Sequence, residues 1–199
     1  MYNLAKKNML GRHLMQMQKI LPEDFDFFPA TYCLPHDMKE FMSQITEKRA
    51  KTFIVKPEAA CQGKGIFLTR NPENIAAMAT KAFADVEQDD RNKPMAPIIA
   101  KGMENNLAGQ IPLMVVQRYM HKPLLIDGFK FDLRIYVNIN GIAPLRVYIH
   151  KNGLARFATV PYQSPQPSNM NNLCMHLTNY AINKESEDFV QNDDENADD

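Results

Sequence analysis

The sequence predicts an α+β fold built mainly on antiparallel strands, and three observations carry that prediction. In residues 3–21 the apolar residues Leu10, Leu14, Met17 and Leu21 recur at helical spacing. In "GFKFDLRIYVNIN", residues 128–140, apolar and polar residues alternate: Phe129, Phe131, Leu133, Ile135 and Val137 share one face, and Lys130, Asp132, Arg134 and Tyr136 the other. In "PLRVYIHKNGLARFAT", residues 144–159, two strand-like runs flank Asn152-Gly153, a dipeptide suited to a tight hairpin turn.

The remaining elements follow in order. Pro22 ends the first helix, and residues 36–49 read as a second, with Met38, Phe41 and Ile45 on one face; core packing is the ordinary reading of both stripes. Residues 52–56 and 65–70 read as strands joined by a glycine-containing loop. Asn71-Pro72-Glu73 is a helix start, with an Asn cap and Pro in the first turn, for a helix running to about residue 87. Residues 88–112 are polar, contain three prolines and read as an inserted surface loop. "LMVVQRYM", residues 113–120, is an apolar strand, and 161–172 a loop rich in Pro, Ser and Asn. "LCMHLTNYAINK", residues 173–184, is short and mixed, and 185–199 is an acidic tail expected to be disordered.

Composition bounds the function. The chain has 199 residues, 45% of them hydrophobic, enough for one domain with a core or for two small lobes. Its formal net charge is zero, which argues against a nucleic-acid binder driven by bulk positive charge. No stretch is long and apolar enough for a membrane span, and the N-terminus lacks the marks of a secretory signal. Cys33, Cys61 and Cys174 have no CxxC spacing and read as reduced cytosolic thiols. The five histidines show no zinc-ligand spacing.

Candidate chemistry gathers in three stretches. Lys130, Asp132 and Arg134 stand at i, i+2 and i+4, on one face of a strand, about 7 Å apart per step. Two cations flanking an acid suit a ligand with both phosphates and hydroxyls, although a solvated face with cross-strand ion pairs would look the same. In "KTFIVKPEAACQGKGIFLTR", residues 51–70, Lys56 ends a strand, and Gly63 and Gly65 would let backbone N–H groups approach phosphates. This is neither a Walker A loop nor a kinase glycine loop, because the required spacings are absent. In "VVQRYM", the strand running into Gln117, Arg118, Tyr119 and Met120 could offer backbone donors and acceptors to an adenine edge, or be a plain edge strand.

Four long segments in order, "IVKPEAACQGKGIFLTRNP", "VVQRYMHKPLLIDGFKFDLRIYV", "PLRVYIHKNGLARFATVPY" and "CMHLTNYAINK", resemble the tubulin–tyrosine ligase-like family, most closely its tubulin polyglutamylase branch. The resemblance covers nearly the whole chain except residues 85–112 and the acidic tail. It implies an ATP-grasp fold in which two lobes with mixed and antiparallel sheets hold ATP. By the same resemblance Lys56 contacts phosphate, and Gln62 and Gly63 lie in the flap, with Gln62 at the position that separates chain elongation from initiation. Gln117, Arg118, Tyr119 and Met120 form the adenine hinge, and Lys130, Asp132, Thr178 and Asn179 are further nucleotide contacts. Arg134 meets a phosphate or acyl phosphate. Arg156 holds the incoming glutamate, with Tyr180 and Ala181 lining that side; Ala181 stands where many members carry Ser.

The implied reaction is ATP-dependent addition of free L-glutamate to glutamate side chains of tubulin through an acyl phosphate, of the elongating type. The implied partners are tubulin and microtubules, with no nucleic acid or membrane, and the implied location is the cytoplasmic cytoskeleton, including cilium, flagellum or basal body. ATP would need Mg2+, whose ligands in this family lie in an apolar strand and Glu-x-Asn beyond the Thr-Asn-Tyr segment. The expectation is therefore a catalytic domain lacking its C-terminal part, a truncated copy inactive alone. The competing readings are a pseudo-ligase that binds nucleotide or microtubules without turnover, and a different ATP-grasp ligase with a small acceptor.

Overall fold

The computed structural model describes residues 2–45, 51–57, 63, 65–71, 75 and 113–190. The expected insertion at 88–112, nearly all of the helix expected at 72–87, Gln62 and the end of the acidic tail lie outside these residues. The chain divides into two units, Met1–His121 with Pro165–Asn171, and Lys122–Ser164 with Asn172–Asp199.

The first unit is a four-stranded antiparallel sheet with helices. A short helix α1 (Tyr2–Ala5) precedes α2 (Lys7–Ile20), so the first predicted helix is interrupted at Lys6, whose backbone is extended. Then come β1 (Thr31–Leu34), α3 (Met38–Ile45), β2 (Phe53–Pro57), β3 (Phe67–Thr69) and β4 (Met114–Arg118). The sheet order is β1-β4-β2-β3. Strand β1 is missed by the periodicity reading because all four of its residues are buried, leaving no alternation to see.

Alternation sorts the sheet's two faces. Tyr32 and Leu34 of β1, Phe53 and Val55 of β2, and Met114 and Val116 of β4 pack with Phe41 of α3 and with Ile75 into one core. The Phe41 ring meets Phe53 edge-on at 5.1 Å and Tyr32 at 5.3 Å. The intervening residues, among them Thr31, Cys33, Lys56 and Gln117, take the opposite face. There α2 covers them: the Cys33 thiol lies 3.4 Å from the Asn8 carbonyl, and Lys7 donates to the Pro57 carbonyl at 2.8 Å.

The second unit holds β5 (Leu125–Ile126), β6 (Phe129–Arg134), β7 (Val137–Ile142), β8 (Leu145–Ile149), β9 (Leu154–Phe157), α4 (Leu173–His176) and α5 (Tyr180–Asn183). The predicted single strand 128–140 is two strands, broken at Ile135-Tyr136. Their partners differ: β6 pairs with β5 and β9, whereas β7 pairs with β8. The predicted 144–159 hairpin is not formed, because β8 and β9 belong to different sheets.

Two glycines explain the difference. The tight two-residue hairpin turn is Asp127-Gly128, between paired Ile126 and Phe129, and both turn residues have positive φ, 51° and 83°. Gly153 serves close approach instead: a Cβ there would lie 2.5 Å from the Arg134 carbonyl oxygen of β6. Asn152-Gly153 thus admits β9 to its place beside β6 and does not turn a hairpin. Many apolar residues of β7 and β8 are exposed, including Val137, Ile142, Leu145 and Ile149.

Candidate functional site

Strand geometry on the first unit brings Lys56, Gln117 and Thr31 together. Gln117 of β4 lies opposite Thr31 of β1 and Ile54 of β2, and Lys56 is its diagonal neighbour on the same face. Lys56 Nζ donates to Gln117 Oε1 at 2.8 Å, and Gln117 Nε2 donates to Thr31 Oγ1 at 2.9 Å. The Thr31 hydroxyl in turn donates to the Pro29 carbonyl at 2.7 Å. Burial, and after it the charge of Lys7, lowers the Lys56 pKa from the ordinary lysine value. A partly buried ammonium held by one neutral amide gains from an anion; a phosphate oxygen is such a partner. Thr31 is the residue of this group that the motif reading missed, since a Thr in a fully buried strand carries no signal by itself.

Beyond Lys56, Gly63 and Gly65 have φ of 89° and 66°, in the left-handed region open to glycine. Gln62 lies outside the described residues. At the end of β4, Arg118 N–H donates to the Ala30 carbonyl at 2.8 Å and Tyr119 N–H to the Thr52 carbonyl at 2.9 Å. These two amides are spent within the protein. Tyr119 is buried and Arg118 exposed, and Met120, exposed, follows beyond the last of these bonds.

On the second unit the alternation of β6 puts Lys130, Asp132 and Arg134 on one side. The register sets Asp132 directly opposite Arg156 of β9. Arg156 clasps it with two bonds, Nε to Oδ1 at 2.8 Å and a terminal nitrogen to Oδ2 at 2.9 Å. The Thr178 hydroxyl also donates to Asp132 Oδ2. Lys130 Nζ donates to the His176 carbonyl at 2.7 Å. His176 is fully buried, its ring edge-on to Tyr162 at 6.0 Å.

Five predicted residues therefore gather here: Lys130, Asp132, Arg156 and Thr178, with Asn179 adjoining in sequence. The side chain of Arg134, at the exposed end of β6, has no hydrogen-bond or ion-pair partner among the described residues. Tyr180 is exposed and meets Phe189 edge-on at 5.7 Å, and Ala181 is half-buried on α5. Asn183, buried within the same motif, went unread because a helical Asn has no chemical signature in sequence.

The arrangement offers an anion three cationic side chains, Lys130, Arg134 and Arg156, and offers a hydroxyl one acceptor carboxylate, Asp132. Arg156 has five N–H donors and spends two on Asp132, so it can still meet a second carboxylate. Among the described residues no three His, Cys, Asp or Glu side chains come together to hold a metal. No described helix is long and apolar enough to cross a membrane.

Comparison with known proteins gives the chain a family. The tubulin-tyrosine ligase family model matches residues 1–199. The chain is similar to human tubulin polyglutamylase TTLL13, 43% identical over 191 residues that cover 96% of this chain and 19% of the relative. It is likewise similar to a probable beta-tubulin polyglutamylase of Tetrahymena thermophila, 43% identical over 98% of this chain and 14% of the relative. Tubulin polyglutamylase ttll6 of Danio rerio is 39% identical over 98% of this chain and 21% of the relative. The chain spans about a fifth or less of the length of these curated relatives. By sequence match along its whole length, the chain belongs to the tubulin-tyrosine ligase family.

Proposed function

We propose that this chain carries nucleotide- and glutamate-handling residues of an ATP-dependent tubulin polyglutamylase of the elongating type. The observation that carries the reading is that relatives matching nearly the whole chain are tubulin polyglutamylases. The fold would then be of the ATP-grasp kind, the two units corresponding to its two lobes. The site of action would be the microtubule cytoskeleton, with cilium, flagellum or basal body as the finer location.

In the proposed reaction a glutamate carboxylate of a tubulin tail attacks the γ-phosphorus of ATP and expels ADP. The acyl phosphate that forms is attacked by the amine of free glutamate. An amide bond forms, phosphate leaves, and the amine loses a proton. The protein's part is positioning and neutralisation of charge.

Lys56 would supply an ammonium to phosphate oxygens, and an anion there would offset the burial that lowers its pKa. Lys130 and Arg134 would serve phosphate oxygens, and Asp132 would accept from a ribose hydroxyl. Gln117 holds Lys56 in direction, and Thr31 holds Gln117. Arg156 would take the carboxylate of free glutamate in the bidentate manner it now shows toward Asp132. Gln62 would set elongation against initiation.

The test is calorimetric titration of L-glutamate into the chain saturated with a non-hydrolysable ATP analogue. Saturable binding that weakens about tenfold or more in Arg156→Ala supports the assignment. Equal affinity in both proteins overturns it.

A further inference from the structure

One buried side chain joins the two groups that grip Asp132. Asn183 is 1% exposed. Its Oδ1 accepts from the Thr159 backbone N–H at 2.9 Å and from the Thr159 hydroxyl at 3.0 Å. Its Nδ2 donates to the carbonyls of Leu177 at 2.9 Å and Asn179 at 3.1 Å. A side-chain amide has two donor hydrogens and two acceptor lone pairs, so its bonding capacity is fully used.

The partners are placed on both arms of the site. Thr159 lies three residues beyond Arg156, where the chain leaves β9. Leu177 and Asn179 flank Thr178. Arg156 and Thr178 both bond Asp132. The contacts close a ring: from Asp132 to Arg156, along the chain to Thr159, through the Asn183 amide to 177–179, and by Thr178 back to Asp132. The carbonyl that Lys130 bonds, that of His176, directly precedes this segment.

Regular structure holds the segment only at its two ends: Leu177 N–H donates to the Leu173 carbonyl at 2.8 Å, and the Asn179 carbonyl accepts from the Ile182 and Asn183 N–H groups at 3.0 Å. The segment links two four-residue helices, and Leu177 and Asn179 have extended backbones, with ψ of 144° and 125°. The Leu177 carbonyl lies outside both helices and takes its bond from the Asn183 side chain, which adds a further bond to the Asn179 carbonyl. A side chain made only of carbon could fill the same volume but could not fix where Thr178 points.

We propose that Asn183 is a positioning residue: it sets the Thr178 hydroxyl and the Arg156 guanidinium on Asp132 from behind. The inference rests on the ligase reading only for the ligand used in one arm of its test.

The test uses the 199-residue chain and the variants Asn183→Asp, Thr159→Val, Thr178→Val and Asn183→Asp/Thr178→Val. Aspartate keeps the oxygen that Thr159 bonds and loses both donors to 177–179. Circular dichroism checks the fold, and NMR follows the Arg156 Nε–H signal, which needs no nucleotide. In Asn183→Asp that signal is expected to shift and to exchange with water about tenfold faster, and the ATP dissociation constant to rise about tenfold. Adding Thr178→Val is expected to cost less than its effect alone, because both changes break one network.

A lower melting temperature with an unchanged Arg156 signal, or additive losses in the double variant, would overturn the proposal. If wild type binds no ATP, the ligase reading fails, and the Arg156 signal still decides the role of Asn183. If Asn183→Asp does not fold, Thr159→Val decides: a smaller shift of the same signal supports the proposal, and none refutes it.

Discussion

Arg156 closes on Asp132 across directly paired strands, Nε to Oδ1 at 2.8 Å and a terminal nitrogen to Oδ2 at 2.9 Å. The two side chains remain 29% and 34% exposed, so water screens the pair. Its contribution to stability is therefore about 0.2–1 kcal/mol despite good geometry. A double-mutant cycle with Asp132→Ala and Arg156→Ala, read by urea unfolding, should give a coupling in that range. A coupling of several kcal/mol would mean that the pair is a structural clamp and not a ligand site held ready.

Lys56 makes a prediction about pH. Burial, and then Lys7, lowers its pKa in the folded chain. Between that lowered value and the unfolded value of about 10.4, the unfolded state binds more protons than the folded state. Stability must then rise with pH across this window, and the cost of the buried charge is greatest below it. Unfolding free energies measured from pH 7 to 10 should rise more steeply in wild type than in Lys56→Met. ATP affinity should move the opposite way, falling as pH rises through the lowered pKa and Lys56 loses its charge. Parallel stability curves for the two proteins would refute the buried-charge account.

Gly153 predicts a steric effect. A methyl group there meets the Arg134 carbonyl at 2.5 Å, and that contact is backbone, which cannot rotate away. Gly153→Ala should cost about 1–3 kcal/mol, as overpacking does, and lower the melting temperature. It should also weaken ATP binding, because Leu154, the next residue, pairs with Arg134 beside the Asp132–Arg156 rung. Wild-type stability in Gly153→Ala would show that β9 can shift without loss.

The α+β class and most strands were legible because periodicity reports which face of an element is buried. The limits have the same origin. β1 shows no alternation because both of its faces are covered. The 128–140 run keeps its alternation through Ile135-Tyr136, so the pattern cannot reveal that its two halves pair with different strands. Asn152-Gly153 and Asp127-Gly128 are similar dipeptides, yet one admits a neighbouring backbone and the other turns a hairpin. Only the pairing partners decide between these roles. The alternation of β6 correctly put Lys130 and Asp132 on one side. That Asp132 opposes Arg156 depends on a strand 24 residues away, and local spacing carries no trace of it. Thr31 bonds the Gln117 amide, and Asn183 bonds Thr159 and the backbone of Leu177 and Asn179, roles with no residue-type signature.

The most direct test of the account is equilibrium binding of labelled ATP to the 199-residue chain, wild type against Lys130→Ala. Lys130 Nζ donates to the His176 carbonyl at 2.7 Å, beside the Asp132–Arg156 pair. The account predicts saturable binding by wild type and a dissociation constant at least about tenfold higher in the variant, the value of a lost charge-assisted hydrogen bond. Equal weak binding by both proteins, or none by either, would contradict it.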